Sequence, residues 1–319
     1  MASPFHAGEH ALQARVGMRE RLARFGPKAI RDVMPDPHRE FFGELPFVVV
    51  GALDAGRRPW ASVLAGPPGF LSSPDPRTLR VAARPADGDP IGAGLVAGAP
   101  VGLLGIQLET RRRNRANGTV VATDEGGWTV RVGQSFGNCP QYIQARAPGP
   151  ATAPPAVVVR PEGATLSEGA AAIVRNADIF FIATASPDAG GDDPAEGVDV
   201  SHRGGKPGFV RVEANERGTV LTWPDFRGNS FFNTLGNLAV NPRAGLAFVD
   251  FGTGDLLSLT GTAEIVWDGA ALEAFAGAER LVRLSVAAGV HTAHAVPYRW
   301  TAPEQARELA TTGAWPAPR

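Results

Sequence analysis

From Leu45 onward the apolar residues come in short runs, some alternating with polar positions and some continuous, each cut by glycine or proline: LPFVVVGAL, WASVLAG, TLRVAA, VGLLGIQL, GTVVAT and GWTVRV. Runs of this length at close intervals predict antiparallel strands closing into a small barrel. A second series follows the stretch APGPATAPP (Ala147–Pro155), which reads as a linker: IFFIATAS, GFVRVEA, TVLTWP, AGLAFVDF, LLSLTGTAEIVW and RLVRLSV. Ahead of the first series, residues 8–31 space Leu12, Val16, Met18, Leu22 and Ile30 among Glu and Arg at helical intervals, predicting a helical arm packed on the first barrel. A helix is expected over Leu166–Asn176 with Ser167 as N-cap, and helical turns near Asn233–Asn241, Ala270–Gly277 and Pro303–Ala310.

The two series are versions of one another. WASVLAGPPGF from Trp60 lies against DVSHRGGKPGF from Asp199, so that Ser62 meets Ser201, Gly66 meets Gly205 and Phe70 meets Phe209. Further on, Thr110 falls on Thr253 and Gly118 on Gly261. A repeat this long has the size of a small domain, not of a solenoid unit. The chain therefore divides into an arm (residues 1–40), a first β domain (41–146), the linker (147–163) and a second β domain (164–319), mainly β with flanking helices. Wherever the copies differ, one kept a chemistry that the other lost.

Composition narrows the function classes. Lys and Arg number 31 against 32 Asp and Glu, so bulk electrostatics ask for neither nucleic acid nor an anionic membrane. Cys139 is the sole cysteine, which excludes an internal disulfide and a thiolate metal cluster and points to a reducing compartment. Charges run through the first residues where a secretion signal needs an apolar core, and no stretch reaches the length of a membrane span. A cytoplasmic protein is expected.

The second half, with GVDVSHRGGKPGF, WPDFRGNSFFNTLGNLAVNPRAGLAFVDF and the late PYRW, resembles the pyridoxamine 5′-phosphate oxidase-like flavin-binding split barrels, and the first half carries a more divergent form of the pattern, PDPHREFF included. The resemblance implies two tandem split β-barrels paired as an internal pseudo-dimer. It also implies flavin mononucleotide (FMN) held by a helix N-terminus near the pairing interface and redox chemistry on a small molecule. Since the chain ends at Arg319 with no reductase module, NAD(P)H or a separate reductase is the expected electron donor, and a homodimer is a further possibility. The substrate-phosphate residues of pyridoxamine phosphate oxidation are incomplete here, PYRW keeping only part of them.

A flavin phosphate needs converging donors, and a helix start supplies backbone N–H groups and a favourable dipole. Arg227, Asn229, Ser230, Asn233 and Thr234 stand directly before or at a predicted helix, although a polar turn is the plain alternative. The basic residues that the family often places at this helix start are replaced by Asn233 and Thr234, which throws weight onto Arg203 and Arg227 or an arginine of the other barrel. Ser201 and His202 alternate faces of a strand and so do not pair as nucleophile and base; with Arg203 they read as flavin or substrate contacts. Trp223, Pro224 and Asp225 end the strand entering the cradle, Trp223 being equally suited to the core.

In the first copy Asp87 and Asp89 replace the cradle donors and would repel a phosphate, so one flavin per chain is expected. GAGLVAG (Gly92–Gly98) leaves no room for the helix of a dinucleotide-binding unit. Arg111, Arg113 and Arg115 share one face of a predicted strand, for which a surface basic strand is the plain reading; the resemblance implies instead that one of them contacts the ligand, Arg113 falling where related barrels aim a polar side chain at the flavin. GQSFGNCPQYIQ offers Gln134, Ser135, Phe136, Asn138, Cys139 and Tyr142 as pocket lining, with Cys139 more a small buried hydrophobe than a nucleophile. No metal site is expected. The alternative is a non-catalytic flavin or haem module for storage, sensing or electron relay, with His202, His291 or His294 as axial ligand.

Overall fold

The computed structural model, which describes residues 3–151 and 156–316, gathers each series of apolar runs into one antiparallel sheet. The first contains β1 (Phe47–Leu53), β2 (Pro59–Ala65), β3 (Leu71–Ser72), β4 (Thr78–Val81), β5 (Pro100–Gln107), β6 (Arg112–Asp124) and β7 (Gly127–Gly137), in the order β2-β1-β5-β6-β7-β4-β3. After β8 (Pro148–Ala151) and β9 (Val158–Glu162) come β10 (Ile179–Ala185), β11 (Val198–Gly204), β12 (Arg211–Asn215), β13 (Gly218–Phe226), β14 (Arg243–Val249), β15 (Leu256–Val266), β16 (Ala278–Ala293) and β17 (Tyr298–Trp300). The second sheet runs β11-β10-β14-β15-β16-β13-β12, the same order strand for strand. Even the bulges correspond, one at Asn117/Gly118 and one at Thr260/Gly261. Neither path returns on itself, so these are open, split barrels and not the closed ones that strand spacing suggested.

Among the described residues six α-helices flank the sheets: α1 (Ala7–Arg15), α2 (Arg19–Ala29), α3 (Asp36–Glu44), α4 (Glu168–Asn176), α5 (Asn233–Val240) and α6 (Ala270–Glu273). Helix α4 begins as expected, the Ser167 hydroxyl accepting from the Ala170 N–H. The turn expected near Pro303–Ala310 is a 3₁₀ segment, Arg307–Thr311. The arm is two helices and not one, because Gly17 takes a left-handed conformation (φ 70°) between them. Its seat is divided between the halves: Leu22 and Ile30 cluster with Phe136 of the first, as expected, whereas α1 packs on α5 of the second, Gly8 lying against the backbone of Gly236 and Gln13 donating to the Phe231 carbonyl. The small residues that permit this approach are 228 positions apart, beyond any local reading of the sequence.

The expected linker is more ordered than its composition suggested. β8 pairs with β17 and β9 with β16, while residues 152–155 of the Ala147–Pro155 stretch lie outside the described residues. PYRW is spent on packing: the Tyr298 hydroxyl donates to the Gly66 carbonyl at 2.7 Å, and Trp300 meets Phe47 and Phe251 edge to face.

Each half has its own core, around Trp223, Phe180 and Phe248 in the second and Trp128, Phe41 and Phe42 in the first. A third cluster joins them, with Phe47, Val49, Val63, Leu104 and Ile106 from one side and Phe181, Val200, Ala247 and Val249 from the other. Two glycines at equivalent repeat positions let the halves meet. A Cβ on Gly102 would stand 2.5 Å from the Val198 carbonyl oxygen, and one on Gly245 2.5 Å from that of Pro59. Because the obstacle is backbone in both cases, Gly102→Val and Gly245→Val should each cost about 1–3 kcal/mol or more, read as a lowered denaturation midpoint. Among the described residues no helix is long and apolar enough to cross a membrane.

Candidate functional site

The turn from β13 into α5 carries unusual backbone. Ser230 (φ 60°) and Phe232 (φ 64°), neither of them glycine, are left-handed, a conformation costing on the order of 1–3 kcal/mol each that persists where surroundings impose it. Together with the opening N–H groups of α5, which have no intrahelical acceptor, such a turn forms a concave surface of donors suited to an anion.

Facing this turn is the arginine strand of the first half. Arg111 stays outside, paired with Glu304 at 2.8 Å, and Arg112 lies over the Phe41 ring. Arg113 and Arg115 point into the pocket. Arg115 is buried and joins the halves: its Nη1 donates to Asp199 at 3.1 Å and to Asn233 Oδ1 at 3.0 Å, and its Nη2 to the Ser201 hydroxyl. Asn117 adds a 2.7 Å bond to Asp199. Among the described residues the Arg113 side chain bonds the Cys139 carbonyl, at 2.7 Å, and no carboxylate. Burial, then repulsion from Arg115 and Arg203, pushes its guanidinium down to about 9, the mark of a cation held short of negative charge.

The structure commits Asn233 and Thr234 differently from the expectation that both would offer side-chain donors to a phosphate. Asn233 Nδ2 donates to Glu9 Oε1 at 2.6 Å, and the Thr234 hydroxyl donates to Ser201 at 2.7 Å. Both side chains are buried in the network that fixes the start of α5. What this helix start presents outward is backbone. Glu9, brought in by α1, has its carboxyl held well above the ordinary range by burial and by the nearby Asp199. Its other oxygen accepts from the His6 N–H at 2.9 Å, the return half of a capping box that ties α1 to the site.

The remaining expected residues are distributed as follows. Ser201, His202, Arg203, Pro224, Asp225, Arg227, Asn229, Ser230, Asn138 and Tyr142 line one pocket with Arg113. Trp223 does not: it is fully buried, edge-on to Phe180, because its position on β13 faces the core. Asp225 bridges Arg203 at 3.2 Å and Arg280 at 3.1 Å. Arg227 and Asn229 sit on the exposed lip. His202 is buried, with Nε2 lacking a hydrogen-bond partner, and burial followed by Arg113 and Arg203 holds its pKa well below the usual histidine value, so the imidazole is neutral. His291 and His294 lie elsewhere, gathered around Asp255.

Sequence reading missed Arg280 and Glu279, which reach the pocket because Arg280 sits opposite Asp225 in the β13–β16 ladder. Counting the lining, five arginines (113, 115, 203, 227 and 280) stand against two carboxylates (225 and 279).

The equivalent place in the first half is filled from within. Asp89 is buried, accepts from the Ser62 hydroxyl, the repeat partner of Ser201, and accepts from the Ile91 N–H at 3.0 Å at the start of the 3₁₀ turn Gly92–Gly94 that stands where α5 does. A carboxylate of the chain itself thus occupies the donors. On the matching strand, Ser258 and Thr260 stand where Arg115 and Asn117 do and donate to the carbonyls of Ala61 and Pro59. Asp87 makes no comparable contact.

The family model described as Pyridoxamine 5′-phosphate oxidase matches residues 166–299. No curated protein matches the chain. Among solved structures, HupZ from Group A Streptococcus is similar at 16% identity over 38% of this chain and 90% of its own (TM-score 0.29). HutZ, described as the heme storage protein from Vibrio cholerae, is 15% identical over 40% and 95% (0.26), and a FAD-binding protein from Mesorhizobium loti 13% over 42% and 98% (0.26). The second half thus matches the pyridoxamine 5′-phosphate oxidase family model over residues 166–299, and the first half repeats the strand order of that matched half.

Proposed function

We propose that the pocket binds FMN, one per chain, and that the protein is a flavin-dependent oxidoreductase acting on a small molecule. The observation that carries this reading is the charge of the pocket: five arginines against two carboxylates, with Arg113 lacking any acidic partner and the left-handed turn at Ser230–Phe232 presenting backbone donors. Such a site suits a dianion. Arg113, Arg203, Arg227 and the backbone of residues 230–234 would hold the phosphate; His202, neutral and with an unpartnered Nε2, would meet the flavin or substrate as donor or acceptor.

When bound, a flavin supplies the electron transfer, and the chain supplies binding, orientation and electrostatics. Asp225 keeps Arg203 and Arg280 in place, while Arg115 and Asn233 hold the two halves and the helix start in register. Reducing equivalents would come from NAD(P)H or a separate reductase. The occupied Ser62–Asp89 pair in the first half supports a single site.

A second reading, haem binding for storage or relay, is favoured by one feature, the buried His202 Nε2 without a partner. The absorption spectrum of the purified protein and chromatography of the chromophore released on denaturation separate the two. Released FMN supports the proposal; haem, or a flavin with no phosphate requirement, overturns it.

A further inference from the structure

Six of the 31 lysines and arginines fall within residues 15–31 beside a single acid, Glu20, so this part of the arm carries a net charge of +5 and the rest of the chain −6. All six (Arg15, Arg19, Arg21, Arg24, Lys28 and Arg31) are exposed, and among the described residues none makes an ion pair. The apolar face of α2 is already spent: Leu22, Gly26 and the capping Ile30 turn inward onto Phe5, Phe136 and Phe231. Its outward face keeps one large apolar side chain, Phe25, 54% exposed, with Arg21 and Lys28 a turn to either side. The Phe25 ring also meets Phe231 at 6.1 Å between centroids, and Phe231 lies between Ser230 and Phe232 in the left-handed turn of the arginine pocket.

We propose that the outward face of α2 is a docking surface for the acidic face of a small one-electron carrier protein, which delivers electrons to the pocket beside it. The proposal rests on the flavin reading for the electrons; the docking itself does not require flavin. Two transfers from the reduced carrier, with two protons from solvent, would take bound flavin to its dihydro form and leave two carrier molecules oxidised. Three features select this partner. Unpaired cations on the arm complement an acidic surface and steer it in from a distance, and an exposed aromatic ringed by charge has the anatomy of a protein contact. A bilayer would take an amphipathic helix by its apolar face, which α2 has buried. An extended nucleic acid would overrun the roughly 16 Å of an eleven-residue helix and meet a remainder of opposite charge. Only the Phe25 and Phe231 rings separate this face from the turn, so a protein docked there stands next to whatever the pocket holds.

The test uses an acidic plant-type [2Fe–2S] ferredoxin as the carrier. Its binding to the full-length protein is measured by calorimetry over a salt series, without and with saturating FMN, and reduction of bound FMN by photoreduced ferredoxin is followed by stopped flow. Ferredoxin should bind in both cases, and both its affinity and the reduction rate should fall as salt rises. The triple change Arg21→Glu, Arg24→Glu and Lys28→Glu should lower affinity and second-order rate roughly 10–100-fold at low salt. FMN affinity, and the extent of reduction by dithionite, which needs no docking, should stay as in wild type. Phe25→Ser should weaken docking roughly threefold to tenfold at every salt concentration. All four side chains are exposed, so the fold survives these changes.

No ferredoxin binding, or binding that the triple change leaves intact, overturns the proposal. Docking to the FMN-loaded protein without electron transfer also overturns it, since the face would then serve some other acidic protein. Tighter binding of a DNA duplex or of phosphatidylserine vesicles than of ferredoxin, lost in the triple variant, would overturn it in favour of a nucleic acid or a membrane. Salt-dependent docking with the expected variant pattern in a protein that takes up no FMN would uphold the docking surface while removing the flavin reading.

Discussion

Replacing Arg113 with alanine should weaken FMN binding roughly 10–100-fold while leaving riboflavin affinity almost unchanged, because a bond from a cation to a phosphate is worth about 1.5–3 kcal/mol. Arg113 belongs to the first half, whereas the turn at Ser230 and the α5 start belong to the second, so the loss would show one site assembled from both. The substitution removes one bond, to the Cys139 carbonyl, and relieves repulsion with Arg115 and Arg203, so stability should change little. Fluorescence titration of the two flavins against wild type and variant checks this. Equal losses for FMN and riboflavin would mean that Arg113 touches the ring or supports the pocket in some other way.

Arg115→Met should have the largest effect on stability, about 3–5 kcal/mol, since it leaves the buried Asp199 carboxylate without its cation. Arg115 also lies over the Phe136 ring at 5.2 Å, so packing is lost together with charge. Arg115→Lys should rescue only part of the loss. A single ammonium cannot reproduce the fork that reaches Asp199, Asn233 and Ser201 together. Denaturant unfolding of the three proteins measures this, and a variant within about 1 kcal/mol of wild type would show that the network is dispensable.

The duplication was legible in the chain because it is carried by glycine, proline and aromatic positions that tight turns and core packing demand, and these recur in step. It implied that both halves would share one strand order, without saying which. Two-residue periodicity put Arg113 and Arg115 on one face, and the family resemblance turned that face toward a site; Arg111, expected on the same face, leaves it because the strand begins only at Arg112 and Arg111 is left-handed. The roles of Asn233 and Thr234 were not legible, because Thr234 bonds Ser201 across the fold and the partner of Asn233, Glu9, lies more than two hundred residues away on a helix whose docking depends on Gly8 fitting against Gly236. Trp223 could be assigned to core or site only once β13 had a register. Arg280 became visible only through its cross-strand pairing with Asp225. The chain therefore marked the segment that we propose as the cradle, and tertiary contacts decided which atoms in it remain free.

The most direct test of the central claim, a single phosphate site shared by the two halves, is the stoichiometry of FMN binding to apo-protein, followed by flavin absorbance and fluorescence. The Ser62–Asp89 contact closes one cradle and the excess of arginines opens the other, so the titration should saturate at one FMN per chain. Saturation at two per chain, or no saturable binding at all, would contradict the account.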